Sequence, residues 1–146
     1  MIKIKTSTVI NRPIEDVFEF IVDNANDTLW QSDVLETEPY SGDSIAVGTT
    51  YKQISQLLGR RIESTWEVTK YEHNREFKSK TISGLIPMEG GFTCEPVAEG
   101  ETRVAFLGEG NVGGVFKLAE PVVAKMTQRM WETNLSNLKD LLEAQE

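Results

Sequence analysis

VFKLAEPVVAKMTQRMWETNLSNLKDLLE, residues 115–143, places Phe116, Ala119, Val123, Met126, Met130, Leu135, Leu138, Leu141 and Leu142 at steps of three and four. Such steps return to one face of a helix with 3.6 residues per turn, so the segment reads as a long amphipathic helix. Unbroken, residues 115–143 would span about 43 Å at 1.5 Å per residue. Pro121 interrupts the pattern. A proline inside a helix removes a backbone hydrogen bond and its ring clashes with the residue four positions back, here Lys117, so a kink or a fresh start is expected near Glu120.

Upstream of this helix the text is β-rich. Residues 2–10 set Ile2, Ile4, Val9 and Ile10 among Lys and Thr, an imperfect period-2 alternation that marks a first strand. Asn11-Arg12-Pro13 follows, with Glu15 and Asp16 suited to the positive end of a helix dipole. Ile14, Val17, Phe18 and Ile21 then predict a short amphipathic helix to about Asp23, and residues 24–30 a second helical turn. Turn signals at Ser41-Gly42-Asp43, Leu58-Gly59, His73-Asn74, Ser83-Gly84 and Glu99-Gly100 divide what comes next. The strands between them are 34–40, 49–58, 60–71, 76–82, 89–97 and 102–109. Short connections force neighbours to be antiparallel, because a parallel crossover needs a dozen or more residues. The expected architecture is α+β: a seven-stranded curved antiparallel meander around a long C-terminal helix, with short helices between strands one and two.

The 146-residue length fits one domain, read as 1–146, and an apolar share of 39% suffices for a core. A net charge of −8 argues against nucleic acid and anionic membrane surfaces, which require clustered Lys and Arg; Arg60-Arg61 is the only pair of adjacent arginines. Cys94 and His73 are the only cysteine and histidine, so a thiolate cluster is excluded and a zinc site would have to be built almost wholly from carboxylates. No metal and no cofactor is expected. The first residues lack the apolar core of a signal peptide, and no run approaches the roughly 18 apolar residues of a membrane span. A cytoplasmic protein without stable membrane insertion is the expectation.

A seven-stranded sheet must bury one face, yet one helix covers only a strip about 10–12 Å wide. The concave remainder must be filled or left open. Ile62, Trp66 and Val68 share one register, Phe92 and Cys94 another, Val104 and Phe106 a third, while Ser64, Ser79, Gly90 and Gly108 interrupt the same faces. Large apolar walls with small gaps suit a pocket. The mix equally suits a packed core whose serines bond to backbone, and composition leaves both open. The predicted wall is Ser64, Trp66, Ser79, Phe92, Cys94, Val104 and Phe106 from the strands, with Val123, Met126, Met130 and Asn134 from the helix. Leu85, Ile86, Pro87 and Met88 place apolar side chains in a turn and suggest an entrance loop; the Gly-rich residues 110–114 are the other loop-like stretch.

The chain resembles the START and birch-pollen-allergen-like superfamily, in the SRPBCC branch labelled polyketide cyclase/dehydrase. The resemblance rests on Pro13 with Asp16-Val17-Phe18 and Ile21, the 23–30 segment, Gly48 before Tyr51, Gly59-Arg60, Glu95-Pro96 with Gly100 and Thr102-Arg103, and Leu135-Ser136-Asn137-Leu138-Lys139. It implies a helix-grip fold whose cavity holds lipids, polyketides or other hydrophobic molecules. Some relatives cyclise or dehydrate polyketides, some carry a ligand, and others are interaction domains. The leading expectation is a binder of a small hydrophobic molecule, with a cyclase/dehydratase-type enzyme and an interaction domain with a vestigial pocket as alternatives.

No residue stands out as catalytic. His73 sits in a charged turn, far from any cavity, and Cys94 has no neighbouring cation to activate a thiol. Most carboxylates alternate away from the inner face, as Glu63 and Glu67 do beside Trp66; Glu89 and Glu109, near Gly90-Gly91 and Gly108, are the exceptions. Of the tryptophans Trp66 is favoured over Trp30 and Trp131 as cavity wall.

Overall fold

The computed structural model describes residues 1–42, 44–57, 59–111 and 118–145. The strands are β1 (Ile2–Ile10), β2 (Val34–Thr37), β3 (Thr50–Leu57), β4 (Arg60–Glu72), β5 (Glu76–Ser83), β6 (Met88–Ala98) and β7 (Glu101–Gly110). The helices are α1 (Ile14–Val22), α2 (Asp27–Trp30) and α3 (Glu120–Glu143), with a 3₁₀ turn over Asn24–Asn26 leading into α2. All seven strands form one antiparallel sheet in the order β1-β7-β6-β5-β4-β3-β2. The meander therefore runs from β2 to β7, and β1 lies beyond β7 because the two helices carry the chain across to the opposite edge.

β2 ends three residues short of the predicted 34–40 strand, and the remaining strand limits lie within one residue of the spacing-based ones. α3 starts at Glu120 with Pro121 in its first turn, where the missing N–H has no partner to lose, so the fresh start is realised rather than the kink. The helical residues predicted at 115–117 lie outside the described residues, as does part of the 110–114 stretch. At 24 residues α3 is about 36 Å long.

α3 is laid along β1 and closes the concave face. Its C-terminal half buries Asn134, Leu135, Leu138 and Leu142, the leucines in one core cluster with the fully buried Ile10, Val17, Phe18, Val68 and Val104. Burying one such apolar side chain contributes about 1.5–3 kcal/mol. Arg12 ties this end together: its guanidinium donates to the Leu142 carbonyl at 2.8 Å and pairs with Asp16 at 2.8 Å, so the start of α1 is clamped to the end of α3. Thr102 Oγ1 donates to the Arg12 carbonyl at 2.8 Å and fixes the same corner to β7. The N-terminal half of α3, by contrast, fully buries only Val123, and is tied to the β1 edge by Gln128 donating to the Lys5 carbonyl at 3.0 Å.

Candidate functional site

A cavity of about 190 Å³ opens between the concave sheet face and the first turns of α3. Its wall on one side is aromatic. Phe106 lies parallel to Trp131 of α3 with ring centroids 3.7 Å apart, and Phe92 meets both rings edge-on or tilted. Gly108 makes room for Phe106, since a Cβ there would stand 2.8 Å from its ring; Gly90 instead admits the β7 backbone, a Cβ there coming within 2.8 Å of the Leu107 carbonyl and 3.5 Å of the Phe106 ring. The Phe106 ring is thus held between the glycines of β6 and β7 and the indole of α3. Tyr51, Trp66 and Tyr40 form the facing wall; Tyr51 stacks on Trp66 at 6.4 Å and meets Tyr40 edge-on at 5.1 Å.

Each predicted residue has a definite place. Trp66, Ser79, Phe92, Phe106, Val123 and Met130 line the cavity. Ser64, Cys94 and Val104 are buried in the core outside the lining. Burial in an apolar setting pushes the Cys94 thiol up to about 12, so it stays protonated and unreactive. Met126 is 46% exposed and outside the lining; its helical step places it toward solvent, which corrects the expectation drawn from spacing alone. Asn134 is fully buried but faces the loop after α2, accepting from the Ser32 amide at 2.9 Å and the Ser32 hydroxyl at 3.0 Å. It is a brace that positions the loop rather than part of the wall. In the β5–β6 connection Ile86 tucks into the core and Ile86 and Met88 line the cavity, whereas Leu85 and Pro87 point to solvent. The Met88 amide donates to Thr81 Oγ1 at 2.9 Å and the Asn111 amide to the Pro87 carbonyl at 3.0 Å, which pins the loop at both sides.

The polar side of the cavity lies where the sequence offered no signal. Asp27, Gln31 and Asp33, on α2 and the loop behind it, line it together with Gln53, Ser55 and Gln56 of β3. Asp27 is 6% exposed and Gln31 7%. Burial, then the neighbouring charges of Asp23 and Asp33, hold the Asp27 carboxyl well above the ordinary carboxylate range. Asp33 is raised by burial too, against the pull of its own backbone amide and of Asn134. Tyr51 and Ser79 share a buried hydrogen bond of 2.8 Å, and the Trp66 indole N–H is buried with no partner among the described residues. Glu89 and Glu109 are opposite each other on β6 and β7 at the cavity rim, at positions that alternate away from Phe92 and Phe106, with Lys3 3.8 Å from Glu109 on the outer face. His73 is at the β4–β5 turn, its ring edge-on to Phe18 at 5.9 Å, away from this space. The described residues hold no group of three or more His, Cys, Asp or Glu arranged for a metal.

The family model described as polyketide cyclase / dehydrase and lipid transport matches residues 1–143. The chain belongs to this family. The helix-grip fold of this family member recurs in solved structures. A protein from Thermus thermophilus is 18% identical with a TM-score of 0.82, covering 97% of each chain. A START superfamily protein from Mycobacterium smegmatis is 14% identical with a TM-score of 0.76, covering 98% of each. The Zhui aromatase/cyclase from a Streptomyces species is 12% identical with a TM-score of 0.75, covering 97% of this chain and 93% of its own. At these identities the likeness establishes the fold. The comparison with curated proteins found no match.

No helix among the described residues is long and apolar enough to cross a membrane.

Proposed function

We propose that the protein binds a small hydrophobic molecule in the cavity between the sheet and the N-terminal half of α3. The observation that carries this reading is the cavity itself: aromatic residues from β3, β4, β6, β7 and α3 converge on a space of about 190 Å³ instead of filling it. A cavity of about 150 Å³ lined by apolar side chains accepts benzene, so this one suits a molecule of one or two rings rather than a two-chain lipid. The polar groups at one end would then fix its orientation. A filled core, which an interaction domain with a vestigial pocket would have, does not fit this space.

A second reading, a cyclase or dehydratase acting in the same cavity, is favoured by Asp27. A buried carboxyl whose pKa is raised keeps its proton to higher pH than a solvated one and is able to deliver it to a bound molecule. Under either reading the protein resides in the cytoplasm, has no cofactor and needs no nucleic-acid partner.

A thermal-shift screen over one- and two-ring aromatics, fatty acids and sterols tests the binding reading. A ligand at 100 times its Kd adds about 2.7 kcal/mol of stability and raises Tm accordingly. Trp66 and Trp131 line the cavity, so a genuine ligand must also change their fluorescence. A screen without any shift sinks this reading. Turnover of the bound compound, abolished in Asp27→Asn, is the result that would favour the enzyme.

A further inference from the structure

We infer that the ligand carries a hydrogen-bond donor without negative charge, a hydroxyl or a protonated amine, seated against Asp27 and Gln31, and that this site disfavours carboxylates. The inference deepens the binding reading above and rests on it.

Asp27 and Gln31 stand one helical turn apart, joined by the Gln31 amide donating to the Asp27 carbonyl at 2.9 Å, and both side chains line the cavity. Both are more than nine-tenths buried, and neither side chain has a hydrogen-bond partner among the described residues. Neither the carboxyl nor the amide is among the fully enclosed polar atoms that lack a partner, so both remain accessible at the cavity wall, side by side, where a bound molecule can complete their bonding. Their chemistry selects the completing group. A carboxyl in either protonation state accepts from a donor, and an ionised one holds a cation strongly in a poorly hydrated site.

The charges around the cavity point the same way. Two carboxyl groups face it, those of Asp27 and Asp33, and among the described residues no Lys, Arg or His lines it; Glu89 and Glu109 belong to its rim at strand positions that alternate away from Phe92, Phe106 and Gly108. Lys3 approaches Glu109 from outside at 3.8 Å and is itself 73% exposed, so it offers no counter-charge at Asp27. A carboxylate entering this space would lose its hydration and meet like charge, with only uncharged donors such as the Gln31 and Gln53 amides and the Ser55 hydroxyl to meet it. An amine would relieve the repulsion between Asp27 and Asp33, and a hydroxyl would satisfy Asp27 without adding charge.

Four ligands that share one ring system test this: 2-naphthylmethylamine, 2-naphthylmethanol, 2-naphthoate and headless 2-methylnaphthalene. Each is titrated into the full chain at pH 7 with tryptophan fluorescence as the readout. The expected result is that the amine, the alcohol or both bind at least about tenfold more tightly than the carboxylate, a margin typical of one charged hydrogen bond. In Asp27→Asn, which keeps the side chain's size, that margin should shrink by about tenfold; its thermal unfolding establishes that it is folded. Carboxylate binding as tight as the amine and alcohol, or an unchanged margin in Asp27→Asn, overturns the inference while leaving the binding reading intact, since 2-methylnaphthalene reports the cavity alone. Failure of all four to bind overturns the inference, and with a silent thermal-shift screen it overturns the binding reading as well.

Discussion

The two ends of the cavity are built on opposite principles. At the aromatic end Phe92, Phe106, Trp131 and Trp30 pack ring against ring, and each ring takes apolar area out of water. At the polar end Asp27 and Gln31 are buried without a side-chain partner, and Asp33, half-buried, accepts from the Asn134 amide only at 3.5 Å, which costs stability. One end holds the fold together, and the other is a cost that folding carries. That contrast is the mark of a site, because a protein selected for stability alone would have filled or neutralised the polar end.

The contrast can be broken most forcefully at Trp30, which is 1% exposed and joins both ends, since α2 carries it beside Asp27. Trp30→Ala should lower unfolding free energy in urea by about 3–5 kcal/mol. A loss below about 1 kcal/mol would mean that the aromatic cluster is not what closes the core. Next in size, Gly108→Val places methyls where the Phe106 ring lies and should cost about 1–3 kcal/mol through overpacking. It should also weaken binding of 2-methylnaphthalene, with the circular dichroism of the sheet retained. Unchanged affinity would show that the Phe106 position does not shape the cavity.

At the polar end the sign reverses. Burial keeps Asp27 protonated to higher pH in the folded state than in the unfolded chain, so wild-type stability declines as pH rises from about 4 through the folded-state pKa. Asn does not titrate. Asp27→Asn should therefore raise Tm at pH 7 by about 2–4 °C, the response of a domain this size to about 1 kcal/mol. Relative to wild type the gain should vanish near pH 3, where the carboxyl is protonated in both states. Destabilisation at pH 7 would show instead that the carboxylate is internally compensated. The smallest effect belongs to Met126, whose exposure puts it outside both ends; Met126→Ala should change stability and 2-methylnaphthalene affinity by no more than about 0.5 kcal/mol.

Legibility followed the same division. Period-2 runs and turn residues located the strands, because each strand buries one face and its alternation is local information. The helical spacing identified α3, and Pro121 placed its start, because the proline conflict is confined to one turn. Spacing alone did not separate Met126 from Met130: both lie on a broad apolar stripe, and only the curvature of the sheet decides which edge of it is covered. Trp131 was underrated for a related reason, since its partner Phe106 lies on another element. Asp27 and Gln31 carried no signal at all. In sequence Asp27 belongs to the short helical turn read at residues 24–30 and Gln31 follows it, and a single such turn carries no period that shows which side chains face inward.

By itself the sequence determined a single α+β layer pair, a sheet with one apolar face and a helix with one apolar stripe, because those patterns repeat within a few residues. Tertiary structure alone decided that a cavity remains between the concave sheet and the first turns of α3 and that Asn134 draws the loop after α2 inward. It thereby turned two ordinary surface residue types into buried, unpartnered groups. Burial and pairing are properties of distant neighbours, and no local pattern encodes them.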